Sequence, residues 1–198
     1  YKPYYKILKK IFRNAILIPD RFHIILQVRD ALDSTRIKLC VKSNPNYKKL
    51  KKYWKLILKN EDELSDEKRY SKCFRKEISQ VQIVTYLINT DKQFYETYQI
   101  YQGILKSIDT RDKSKFLNII HHHSDNISSY MKKSLRTFRN MEMYIINAFD
   151  YEYSNGITEG MNNLIKQIKH SACGYRKFKH LKARVLLIKG LLNPIKAQ

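Results

Sequence analysis

Glycine and proline are scarce in this sequence, five and four residues of 198. A turn-rich β-sandwich or barrel needs many more of both, so the scarcity excludes that class. Cysteine is nearly absent as well. Cys40, Cys73 and Cys173 stand far apart, include no C-x-x-C pair and leave an odd thiol over. That argues against a zinc ribbon or a disulfide framework and for reduced, partly buried thiols. No apolar run approaches the roughly 18 to 20 residues that cross a bilayer, and the N-terminus has no charged, apolar and small-residue order of a secretory signal. The expected partners therefore include no membrane, and the expected location is the cytoplasm.

Acid is the other shortage. Against 39 Lys and Arg stand 18 Asp and Glu, for a formal charge of +21. On a chain of this size the usual partner of such a charge is nucleic acid. Apolar residues at 43% and aromatics at 12% are ample for a buried core, so the chain is expected to fold and to be mainly α.

The chain organisation follows from hydrophobic spacing. Residues 1–12 read as a helix, residues 15–18 ("AILI") as a short strand stopped by Pro19, and a second helix follows from the N-cap candidate Asp20 to about Leu39. From Tyr47 to Phe149 all signals are helical. Tyr47, Leu50, Trp54 and Leu58 share one face, and residues 60–65 read as an acidic loop. Thr90 with Gln93 has capping-box spacing ahead of the core stripe Phe94, Tyr98, Tyr101 and Leu105, and Thr110 and Ser124 are further cap candidates.

The last segment is chemically distinct. In "YSNGITEGMNN" (153–163) one carboxylate, Glu159, precedes thirty-nine residues with nine Lys or Arg and no acid. Thr158 is positioned to cap a helix running to about Cys173, with Gly174 to end it. Met161, Leu164 or Ile165, Ile168 and Ala172 make its apolar face. The opposite row runs from Glu159 through Asn162 or Asn163 to Lys166 and Lys169 or His170. The positive end of the helix dipole favours a negative charge at Glu159. Phe178, Leu181, Val185 and Ile188 form a second apolar stripe, leaving Arg176, Lys177, Lys179, Lys182 and Arg184 for solvent or phosphate. The bland alternative is a solvated basic face with a lone capping Glu.

The "HHH" run, His121–His123, with Tyr130 suggests a metal-dependent nickase. The spacing opposes it, because i and i+2 converge only on a strand and this segment reads as a helix end.

"YSNGITEGMNNLIKQIKHSACGYRKFKHLKARVLL" (153–187) resembles the C-terminal catalytic motif of bacterial insertion-sequence transposases of the ISL-three family, in the DDE superfamily. Lys177 stands where that family usually has Asn. "YKPYYKILKKIFRNAILIPDRFHII" (1–25) is similar to the family's Tyr-rich helix, short strand and Asp-Arg-Phe-His segment, with Arg13 where the family often has Pro. The resemblance implies the C-terminal fragment of an RNase H-like DDE domain with one short remnant strand at 15–18. Residues 1–40 would be the core remnant, 41–150 a helical insertion, and 151–198 the helices of the catalytic Glu. It further implies a polynucleotidyl transferase performing DNA transposition, with Mg²⁺-dependent cleavage and strand transfer.

Glu159 would be the catalytic and metal-binding Glu, with Asp20 a rival acid. Lys166, Lys169, Arg176, Lys179 and Arg184 would hold double-stranded DNA at transposon ends, and the full-length protein could form a homo-oligomer. The family's two Asp align upstream of Tyr1, so this polypeptide alone is expected to be inactive in cleavage. The resemblance leaves open whether this polypeptide is itself an enzyme. The rival class is a non-catalytic helical module that binds DNA or a partner.

Overall fold

The computed structural model describes residues 2–153 and 156–190. Its residues fall into two compact units, 1–152 and 153–198.

The first unit begins with α1 (Lys2–Ile11). The following residues, 15–20, carry no regular secondary structure, so no β ladder forms at 15–18. A strand exists only with a hydrogen-bonded neighbour, and the described residues offer this segment none. Instead the Leu17 carbonyl accepts from the Asn147 side-chain amide at 2.9 Å, and Ile18 packs on the core.

α2 (Arg21–Leu39) starts at Asp20, whose carboxylate accepts the Phe22 N–H at 2.9 Å. This is the cap and the helix that the sequence predicts. α3 (Tyr47–Lys52) and α4 (Trp54–Ile57) are separated at Tyr53, and a 3₁₀ turn, Glu61–Glu63, occupies the acidic stretch. Two strands then appear where only helix was expected. β1 (Arg69–Ser71) pairs antiparallel with β2 (Lys76–Ile78), Tyr70 opposite Glu77. Three residues per strand are too few for a period-two pattern to register against helical spacing. The protein is thus mainly α, with its paired strands in a hairpin at 69–78 rather than at 15–18.

α5 (Gln80–Ile88) carries the capping box, Ser79 with Gln82. α6 (Lys92–Asp109) is capped by Asp91, which accepts the Phe94 N–H at 2.7 Å. Thr90, one residue earlier, donates back to the Leu87 carbonyl at 2.6 Å and so closes α5 instead. α7 (Lys113–His121) and α8 (Ser129–Asn140) start from Asp112 and Ser128, not from Thr110 and Ser124. Thr110 bonds the Lys106 carbonyl, and Ser124 accepts from the Asn126 N–H in a tight turn. Short polar side chains serve helix ends and turns alike, so neighbouring candidates compete. α9 (Glu142–Asp150) completes the unit.

The core lies where α2 packs on α6 and α8, and α6 on α7. Phe94, Tyr98, Tyr101 and Leu105 are all buried, so the α6 stripe is core as its spacing requires. The Tyr101 hydroxyl donates to the Leu58 carbonyl at 2.7 Å, which ties α6 to the end of α4. The thiols are free, with Cys40 and Cys73 half-buried and Cys173 exposed.

In the second unit, α10 (Gly156–Ser171) packs on α11 (Phe178–Ile188). α10 begins two residues before Thr158, which therefore lies in its first turn and is not its cap. Ser154 and Asn155 of the family-like motif, and Tyr1, lie outside the described residues. The helix ends in a Schellman arrangement. Gly174 N–H bonds the Lys169 carbonyl and Cys173 N–H the His170 carbonyl, at 3.0 and 3.1 Å. Cys173 takes the left-handed position at φ 49°, and Gly174 follows at φ 103°.

Candidate functional site

Glu159 is exposed in the first turn of α10. Asn162, Asn163, Lys166, Lys169 and His170 are exposed at the following steps of three and four. Met161, Leu164 and Ile165 are half-buried and Ile168 is buried. A single helix thus sets an apolar face against a polar row that opens with a carboxylate and ends in cations. Arg176, in the connector, and Lys179 and Arg184, on α11, are also exposed. The α11 stripe does not form a buried face: Leu181 and Val185 are half-buried, whereas Phe178 is 76% exposed and Ile188 53%.

Asp20 has a different setting. Its carboxylate is occupied at the head of α2. It also borders a mainly apolar cavity of about 150 Å³ whose walls include Tyr5, Ile24, Phe138 and Met141. Burial, followed by the neighbouring Tyr144, pushes the Tyr5 hydroxyl above its ordinary range. That is the chemistry of packing and capping.

A hard divalent cation such as Mg²⁺ takes oxygen ligands, commonly one or two carboxylates with water and phosphate oxygens. Glu159 is a donor of the correct chemistry at an open position. Among the described residues, however, no three His, Cys, Asp or Glu side chains group as a metal-holding set. These residues therefore do not by themselves assemble a two-metal centre.

The histidine run is structural. His121 ends α7, and its Nε2 lies 2.7 Å from a Glu142 carboxylate oxygen. His123 Nε2 lies 3.2 Å from the Arg139 guanidinium, which also donates to the Ile120 carbonyl. No described helix is long and apolar enough to cross a membrane.

One basic surface escaped the reading by sequence. Residues 34–60 contain nine Lys or Arg and no acid, the same signal that drew attention to 160–198. Five of those lysines fall within 48–55, on α3 and α4 beside the β1–β2 hairpin.

A family model described as transposase, of the ISL-three type in the DDE group, matches residues 1–185. A curated protein of Lactococcus lactis subsp. lactis, named "ATP-dependent protease", is 32% identical over 124 residues, 63% of this chain and 40% of that protein. The chain thus spans less than half the length of that relative. No solved structure matches.

Proposed function

Because the chain belongs to the ISL-three family of DDE transposases, matched over residues 1–185, we propose that it serves DNA transposition as the part of such an enzyme that supplies the catalytic Glu and grips DNA. The observation that carries this reading is the polar row of α10, with exposed Glu159 at its head and exposed cations along it and α11. In the assembled enzyme Glu159 would be a Mg²⁺ ligand beside acids from outside these 198 residues. The metal ions would supply activation of a water or 3′-hydroxyl and stabilisation of the leaving oxygen. Lys166, Lys169, Arg176, Lys179 and Arg184 would contact phosphates of double-stranded DNA, which sets position without reading bases.

The domain scheme stays with this proposal: 1–40 from the RNase H-like core, 41–150 the helical insertion, and 151–198 the helices of the catalytic Glu. So do cytoplasmic location and assembly as a homo-oligomer in the full-length protein.

A second reading, a helical DNA-binding module without catalysis, draws on the absence of a metal-holding group among the described residues. The name of the Lactococcus protein concerns that protein.

The test is the salt dependence of duplex binding. Replacing any one of the five cations by Gln should weaken binding to unrelated duplexes about equally and lower the slope of log K against log salt by about one unit. Single variants that all retain the wild-type slope would refute the assignment.

A further inference from the structure

The acid-free stretch of α3 and α4 forms, with the β1–β2 hairpin, a built surface. Lys49 is its fastener. Its ammonium lies 4.6 Å from the Phe74 ring centre and 4.5 Å from that of Tyr86, and bonds the Tyr86 hydroxyl at 3.2 Å. Tyr53 bonds Ser71 of β1 at 2.6 Å, and the Phe74 ring meets Tyr86 edge-on at 5.2 Å. Buried Leu50 and Ile57 anchor the two short helices in the core.

The other cations of this face are not consumed in holding it together. Lys48, Lys51, Lys52, Lys55, Lys72 and Lys76 are exposed, and none of them is in an ion pair among the described residues. The Lys51, Lys52 and Lys55 ammoniums lie 5.8, 5.3 and 5.7 Å from the ring centres of Tyr47, Tyr53 and Trp54. Each of these charged heads therefore rests over an aromatic face while its side chain stays open to solvent. A groove of about 480 Å³ runs between the helices and the hairpin, bordered by Lys52, Lys72, Arg69 and the 67% exposed Tyr70. Glu67 also borders it, but its charge is matched by Arg69 at 2.7 Å.

Lys52 and Lys72 meet at the groove, Lys48, Lys51 and Lys76 lie on the same short elements, and Lys55 borders a second pocket; exposed ammoniums at this density, without carboxylate partners, favour a polyanion. We infer that the α3–α4 and hairpin face is a second duplex-DNA backbone-binding surface, in the first unit and separate in sequence from the cations of α10 and α11. The inference rests on the reading of the chain as part of a DNA-handling enzyme. A lipid surface fits less well. Between residues 47 and 78 the exposed large hydrophobic side chain is Tyr70, and an interfacial helix needs an apolar face to insert.

The experiment is anisotropy titration of a labelled duplex of unrelated sequence with the 198-residue chain and two variants, over a series of salt concentrations. One variant carries Lys51→Gln, Lys52→Gln, Lys55→Gln and Lys72→Gln; the other carries Lys166→Gln, Lys169→Gln, Lys179→Gln and Arg184→Gln. Lys49 is spared because it fastens the face. The first variant is expected to bind at least about tenfold more weakly and to lose about two or more units of salt slope, since each B-DNA phosphate contact contributes about 0.9.

Wild-type affinity and slope in the first variant, with loss only in the second, would overturn the inference and leave the proposed function standing. No duplex binding by the wild-type chain would overturn both. Loss of binding to phosphatidylserine vesicles with duplex binding intact would make the face a membrane surface and overturn the inference. Should the four-fold variant unfold at a lower urea midpoint, Lys72→Glu with Lys76→Glu on the hairpin tests the same face. Reduced affinity there supports the inference, and unchanged affinity overturns it.

Discussion

The Thr35 hydroxyl donates to the Ser128 hydroxyl at 2.7 Å across 93 positions of sequence, and both residues are buried. The bond joins the C-terminal part of α2 to the residue that caps α8, whose own N–H is received by Thr97 of α6 at 3.0 Å. Three helices that share the core are thereby fixed in register through one polar cluster.

Thr35→Val keeps the shape and removes the hydroxyl, leaving Ser128 without that donor. Loss of a buried partner costs about 1–3 kcal/mol. Urea unfolding should show a lower midpoint at an unchanged m-value. Ser128→Ala should cost at least as much, because it also removes the bond that accepts the Met131 N–H at 3.2 Å.

At Asp20, capping and metal binding make opposite forecasts. As the N-cap of α2, it should tolerate Asn and lose about 1 kcal/mol on replacement by Ala. Thermal unfolding of Asp20→Asn and Asp20→Ala measures this. A marked loss of Mg²⁺-dependent behaviour in Asp20→Asn, with stability intact, would instead return Asp20 to the metal site.

Much of the helical architecture was legible before any coordinates, and the reason is physical. α2 and α6 are long, with apolar residues that recur at helical steps, and both contribute several buried residues to the core. The hairpin at 69–78 was not legible. Its strands have three residues each and are held by Tyr53 and Phe74 contacts that sequence spacing does not encode. The segment at 15–18 misled in the opposite direction. Its apolar run looks like a strand, but β structure requires a neighbour, and Asn147 supplies a single bond in place of a ladder. At the candidate site, Glu159 stood out because acid is so rare after it. The equally acid-free run at 34–60 went unremarked because no motif drew attention to it.

Alkaline pH should destabilise the fold through two tyrosines of α6. Burial foremost, then Glu61 nearby, pushes Tyr98 from 10.0 up to about 12, and burial pushes Tyr101 to about 12 as well. The folded state therefore holds these protons more tightly than the unfolded chain. That contribution to stability is complete below pH 10 and is lost as pH rises through 10 toward about 12. Unfolding midpoints should fall across that window, and the Tyr98→Phe, Tyr101→Phe double variant should show a shallower fall. At neutral pH the double variant should be about 1 kcal/mol less stable, because the Tyr101 bond to the Leu58 carbonyl is gone.

Incubated with a supercoiled plasmid and Mg²⁺, the purified 198-residue chain should leave the DNA uncut, since its described residues present no group of three metal-holding side chains. Robust Mg²⁺-dependent nicking that Glu159→Gln abolishes would show that a complete centre exists within these residues.

The most direct measurement is duplex affinity in Mg²⁺ and in EDTA at equal ionic strength, for the wild type and Glu159→Gln, in the proposed full-length enzyme. A metal ligand at the head of α10 predicts tighter binding by the wild type in Mg²⁺ than in EDTA, with the difference absent in Glu159→Gln. Equal or tighter binding by Glu159→Gln in both conditions would contradict it, because removing one negative charge beside phosphate would then be the substitution's entire effect.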